Sequence, residues 1–184
     1  MRAGFRRCQT KTGAPAFTKV FAPLKKSHLR DAILQQLQQE LTRQTKAAEA
    51  SRDEAISEES RAENKWDTHS QEAAYLAEGQ ARLAAEIGAS IELYATLPLP
   101  DFTPDDAVAL GALVELDSSA AGKRAWYFLG PRAGGLELEV DGRPILVLTP
   151  QSPLGRQLLG KRAGDVVPSA LRGASEGQRI LSVT

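Results

Sequence analysis

The stretch SPLGRQLLGKRAGDVV, residues 152–167, decides how this chain is read. Ser152 followed by Pro153 has the form of a strand-to-helix turn. A serine side chain can cap the free N–H groups of a helix start, and proline suits the first helical position because the N–H it lacks would have no partner there. A helical turn or two is expected at residues 154–159, and residues 165–167 read as a short strand.

The neighbouring sequence is of one kind. Upstream lie four short runs rich in Val, Leu and aromatic residues: GALVELD at 111–117, KRAWYFLG at 123–130, LELEV at 136–140 and PILVLT at 144–149. The turn segments SSAAG, PRAGG and DGR separate them, and LELEV alternates as a half-buried strand does. A last strand is expected at 179–183. Residues 105–184 therefore read as a compact α+β domain. Within it, Trp126, Tyr127 and Phe128 are consecutive, and an alternating strand sends neighbours to opposite faces. They read as core residues with one exposed ring.

Further out the character changes. Residues 95–104 carry Pro98, Pro100 and Pro104 and read as a linker. Residues 27–94 contain no proline and are dominated by good helix formers, with Ser27 as the expected N-cap. Leu34, Leu37, Leu41, Ala48 and Ala55 recur at seam spacing, as do Trp66, His69, Ala73, Leu76, Gln80, Leu83, Ile87, Ser90 and Tyr94. The apolar pattern lapses at residues 56–62, ISEESRA, so two antiparallel arms are expected rather than one long rod. Polar seam residues such as His69, Gln80 and Ser90 would set the register of the arms at some cost in stability.

Composition excludes several classes. Lys plus Arg and Asp plus Glu both number 23, so the chain is neither a polyelectrolyte nor a basic nucleic-acid coat. Cys8 is the one cysteine, so no internal disulfide can form. No apolar run approaches the roughly 20 residues that cross a bilayer. The charge is uneven, however. Residues 1–26 hold Arg2, Arg6, Arg7, Lys11, Lys19, Lys25 and Lys26 and no acid. This basic tail reads as a disordered arm or as the product of a start codon placed too far upstream.

Taken together, Ser152, Pro153, Leu154, Gly155, Arg156, Leu158, Leu159, Gly160, Lys161, Arg162, Gly164 and Asp165 resemble the C-terminal signature of the GreA/GreB transcription factors. The order of parts, helical hairpin then small β domain, is similar too, and KKSHLRDAILQQL around Lys25 looks like a start of the family's type. The resemblance covers residues 27–184. It implies an N-terminal antiparallel coiled coil followed by an FKBP-like domain, a cytoplasmic location and RNA polymerase as the partner. It further implies contact with the rim of the polymerase secondary channel near Ser152 and Pro153, and a hairpin that enters the channel and reaches nascent RNA only indirectly. The chain would be a monomer without sequence-specific DNA binding. It would not itself be an enzyme, because the catalytic centre is the polymerase's.

The acids of the expected tip are the candidate chemistry. Asp53, Glu54, Glu58, Glu59 and Glu63 are opposed in that window only by Arg61, and Glu59 and Glu63 share a helix face if the segment is helical. A cation held jointly with phosphate takes one or two carboxylates and keeps several waters. In cleavage-competent relatives, tip acids help the polymerase hold a second Mg²⁺, so no metal would be stably bound by this chain alone. The family's pattern is Asp, two residues, then Glu-Asn. Glu63 and Asn64 fit it, whereas Ser60 stands at the Asp position and brings no charge; Glu58 or Glu59 is the substitute available nearby.

Three functions are therefore open. One is an elongation factor that stimulates cleavage of backtracked RNA. The second is a channel-binding regulator or inhibitor without cleavage activity. The third, from another class, is an FKBP-like prolyl isomerase or chaperone module with a helical arm. Neither His28 with His69 nor Cys8 with its basic surroundings forms a metal or nucleophile constellation, and no Gly-rich phosphate loop is present.

Overall fold

A computed structural model describes residues 24–56, 69–103, 105–118, 123–168 and 177–184. Two long helices come first, α1 (Lys26–Ile56) and α2 (His69–Thr96). The strands β1 (Leu113–Ser118), β2 (Lys123–Leu129), β3 (Glu137–Val140) and β4 (Arg143–Leu148) follow, then the short helix α3 (Pro153–Leu158), β5 (Val166–Val167) and β6 (Gln178–Val183).

The two long helices pack against each other in opposite directions. Late residues of α1 meet early residues of α2, as when the Ser51 hydroxyl donates to the Gln80 side-chain carbonyl at 3.1 Å. Early residues of α1 meet late ones of α2: Leu37 shares a groove with Ile87 and Ser90. With 31 and 28 residues, the arms are about 46 and 42 Å long at 1.5 Å per residue.

Several details depart from the expected seam. Ser27 is not the N-cap, because α1 already begins at Lys26 and the Lys25 carbonyl accepts from the His28 N–H at 3.0 Å. In α1 the buried positions are Leu29, Ile33, Leu37 and Ser51, with Leu34, Leu41, Ala48 and Ala55 half-buried beside them. In α2 the set spaced by seven, Ala73, Gln80, Ile87 and Tyr94, turns inward, whereas Leu76 and Leu83 stay 55% and 49% exposed. Both sets of a 3-4 alternation can face a partner helix, and of the second set Ser90 is buried at 7% exposure.

The six strands form one mixed sheet in the order β3-β4-β2-β1-β6-β5. β2 and β4 run parallel, and the other neighbours are antiparallel. The DGR turn between β3 and β4 uses positive φ at both Asp141 (52°) and Gly142 (73°), as a two-residue hairpin turn requires.

Each face of the sheet has its own core. On one face, Leu113, Phe128, Ile145 and Val147 pack against Leu29, Ile33, Leu37 and Tyr94, so the base of the hairpin closes this face. On the other, Val114, Leu116, Leu129 and Leu148 pack against Leu154 and Leu158 of α3. The strand alternation splits the three aromatics as expected: Trp126 and Phe128 lie with the hairpin-side cluster and Tyr127 with the α3-side cluster. None of the three is fully exposed, which corrects the expectation of one exposed ring; Phe128 is buried, and Trp126 and Tyr127 are half-buried. Trp126 and Tyr127 nonetheless line one groove of about 260 Å³, together with Pro144, Ile145 and Leu146.

Candidate functional site

Most of the 152–167 stretch answers to the fold. Ser152 is the N-cap of α3: its Oγ accepts from the Gly155 N–H at 3.0 Å and donates to the Thr149 carbonyl at 2.8 Å. Pro153 occupies the first turn, where its missing N–H is harmless. Gly155 is buried against the end of β4, and a Cβ there would lie 2.0 Å from the Thr149 carbonyl oxygen. Leu154 and Leu158 enter the core.

The turn after α3 is equally specified. Gly160 has a φ of 78°, and its N–H donates to the Val108 carbonyl at 2.9 Å. Lys161 returns its carbonyl to the Val108 N–H at 2.7 Å. Gly164, at φ 93°, donates to the Ile180 carbonyl, and the Asp165 carboxylate accepts from the Arg162 N–H at 2.9 Å. The signature thus seats α3 and its following turn between the strands.

Pro153, Arg156, Leu159, Lys161 and Arg162 remain on the surface of this same short segment. Three are cations, and Leu159 is 48% exposed. A surface of apolar and cationic side chains on a backbone this firmly held is suited to grip an acidic protein surface with apolar patches. Beside it, Gln151 and Thr149 form one wall of a groove of about 500 Å³ whose other wall is Leu83, Ile87 and Ser90 of the hairpin.

Glu58, Glu59, Ser60, Glu63 and Asn64, the candidate tip residues, lie outside the described residues, as does Cys8. The segment that contains the tip joins the far ends of α1 and α2, where Asp53 and Glu54 are exposed. Among the described residues no group of His, Cys, Asp and Glu could hold a metal ion, and no helix is long and apolar enough to cross a membrane.

Sequence reasoning missed what ties the base of the hairpin to the sheet. Lys26 donates from Nζ to the Pro100 carbonyl and stands 4.6 Å from the centre of the Phe102 ring. Burial lowers its pKa, and nearby Asp101 opposes that shift. Tyr94 is fully buried, and its hydroxyl donates to the Arg132 carbonyl at 2.7 Å. Nearer the sheet centre, Glu115 is buried on β1 and accepts from Arg124 at 3.0 Å and from Ser182 at 3.2 Å. No local pattern signals these partners, which lie 9 to 76 residues away in the sequence.

No family model matches the chain, and no curated protein matches it. Among solved structures, the chain is similar to GreA factor homolog 1 of Thermus thermophilus, at 21% identity, over 84% of this chain and 94% of that one, with a TM-score of 0.36. It is similar to the Gfh1 of Thermus aquaticus at 25% identity, over 87% and 96% of the two chains, with a TM-score of 0.36. A third is the prokaryotic transcription elongation factor GreA/GreB from Nitrosomonas europaea, at 22% identity, over 58% and 79%, with a TM-score of 0.34.

Proposed function

We propose that this chain is a Gre-type transcription factor that binds RNA polymerase and regulates elongation through the secondary channel. The observation that carries the proposal is the division of labour inside residues 152–167. The Gre-like pattern builds α3 and its turn into the sheet, and it leaves Pro153, Arg156, Leu159, Lys161 and Arg162 facing outward. In this reading the part from 105 to 184 grips the channel rim, with Ser152 and Pro153 at the contact, and the linker 95–104 joins it to the hairpin of 27–94. Arms of some 40 Å extend away from the sheet and into the channel. The protein acts in the cytoplasm as a monomer and supplies no catalytic centre of its own.

The activity divides at the tip. In the cleavage form, Glu63 with Glu59 or Glu58 would help hold a Mg²⁺ inside the polymerase, and that ion would supply charge stabilisation for the polymerase's cutting of backtracked RNA. Ser60 favours the other form, a channel regulator without cleavage, because a hydroxyl adds no charge to a hard cation's shell. Incubating backtracked complexes with the purified protein and Mg²⁺ decides between them. Shortened RNA supports the cleavage factor, and RNA of unchanged length with altered elongation supports the regulator.

A further inference from the structure

We infer that Tyr94 is a positioning residue: its buried hydroxyl, bonded to the Arg132 carbonyl and lodged over Gly130, fixes the direction in which the hairpin leaves the sheet. The claim that this direction matters for transcription rests on the function proposed above; the geometric claim does not.

Two kinds of contact hold the hairpin base. The first is the apolar packing of Leu29, Ile33 and Leu37 on Phe128 and Val147. Such burial is strong but non-directional, so helices can rock over it by small angles with little loss of area. The second is directional: Lys26 bonds the Pro100 carbonyl, His28 stands 3.8 Å from the Asp141 carboxylate, and Tyr94 is the fully buried one of the three. Tyr94 lies in the last turn of α2, is 0% exposed, and bonds at 2.7 Å to a carbonyl 38 residues further on. A hydrogen bond weakens steeply as its angle opens, so it resists the rocking that apolar contact allows. Glycine at 130 makes the fit possible. A Cβ there would stand 2.0 Å from the Tyr94 hydroxyl oxygen and 3.0 Å from Cζ, with Val147 at 3.2 Å. The strand end thus receives this hydroxyl only because it carries no side chain.

The lever is long. From Tyr94 back to His69 the helix extends about 38 Å at 1.5 Å per residue. A 5° rotation at Tyr94 therefore moves the far end of α2 by about 3 Å, and displacements of about 1 Å at a reacting centre are enough to cost on the order of a hundredfold in rate. A bond at the base then controls the placement of residues that lie beyond the far end.

The test measures direction first. The full chain, with Cys8→Ser, takes spin labels at Ile56→Cys, an exposed position at the end of α1, and Arg179→Cys, an exposed position on β6. Pulsed electron resonance should give a narrow distance distribution. Tyr94→Phe should broaden or shift it while circular dichroism stays unchanged. Gly130→Ala should do the same with the hydroxyl present and add little in the Tyr94→Phe background, because most of its clash is with that hydroxyl. An unchanged distribution in Tyr94→Phe, or a Gly130→Ala effect of equal size in both backgrounds, overturns the geometric inference. For function, Tyr94→Phe should bind polymerase within about twofold of wild type and lose roughly tenfold or more of its effect on elongation. A full effect from a hairpin shown to be loosened overturns the functional half. Failure of the wild-type chain to bind polymerase removes the proposed function and leaves the distance measurement to decide the role of Tyr94.

Discussion

Gly155→Ala sets two ordinary rules against each other, and the structure says which wins. Alanine is the better helix former by about 1 kcal/mol, so propensity alone predicts a more stable protein. The added Cβ would, however, lie 2.0 Å from the Thr149 oxygen, 2.7 Å from Ser152 Oγ and 2.9 Å from the Thr149 carbonyl carbon. A relaxed carbon–oxygen contact is about 3.3 Å or more, so backbone has to move by more than an ångström. That carbonyl also accepts from the Ser152 N–H at 3.0 Å and the Ser152 hydroxyl at 2.8 Å. Overpacking typically costs about 1–3 kcal/mol and each strained hydrogen bond about 1 kcal/mol. The net expectation is a loss of about 2 kcal/mol, or roughly 4–8 °C in Tm for a chain of this size. Thermal and urea unfolding followed by two probes would measure it. A Gly155→Ala protein as stable as wild type, or more so, would show that propensity dominates and that the glycine is not a packing requirement.

Other consequences can be checked in the same way. Gly79→Ala and Gly88→Ala meet nothing within 4 Å, so each should stabilise the hairpin by up to about 1 kcal/mol, read from the urea midpoint. Ser152→Ala removes the cap of α3 and should cost about 1 kcal/mol in the same measurement. Burial raises the pKa of the Tyr94 phenol above its ordinary 10.0. The unfolded chain then releases this proton first, so the group's contribution is intact below pH of about 10 and is lost as pH rises further. Denaturant titrations across that range should show the decline, and Tyr94→Phe should flatten part of it. In the cleavage form of the function, Glu63→Ala should abolish RNA shortening while polymerase binding survives.

Local sequence carried much of the architecture, and particular residues show why. Ser152 and Pro153 were readable as a cap and a first helical residue because capping involves only three or four neighbours. LELEV and DGR gave a strand and a tight turn for the same reason. The hairpin followed from proline-free helix formers with a lapse in the apolar pattern. The choice between the Leu76–Leu83 stripe and the Ala73–Gln80–Ile87–Tyr94 stripe was not readable, since it depends on how the arms meet each other and the sheet. Ser27 fell inside the helix because the Lys25 carbonyl and the Lys26–Pro100 contact set its start. Tyr94 looked like one more seam residue, and its bond to Arg132 depends on a strand end far along the chain. Of the outward side chains, Pro153 came from the motif, whereas Arg156, Leu159, Lys161 and Arg162 stand out only once the fold shows which residues face inward, and Ser152 is taken up by capping α3.

In the proposed function this chain docks on RNA polymerase through the outward residues of 152–162. The most direct test of that docking is titration of fluorescently labelled chain with bacterial core polymerase, beside an Arg156→Glu, Lys161→Glu variant whose folding is checked by circular dichroism. Docking through these residues gives saturable one-to-one binding by the wild type and a large loss of affinity in the folded variant. No binding by the wild-type chain, or equal binding by both proteins, would contradict it.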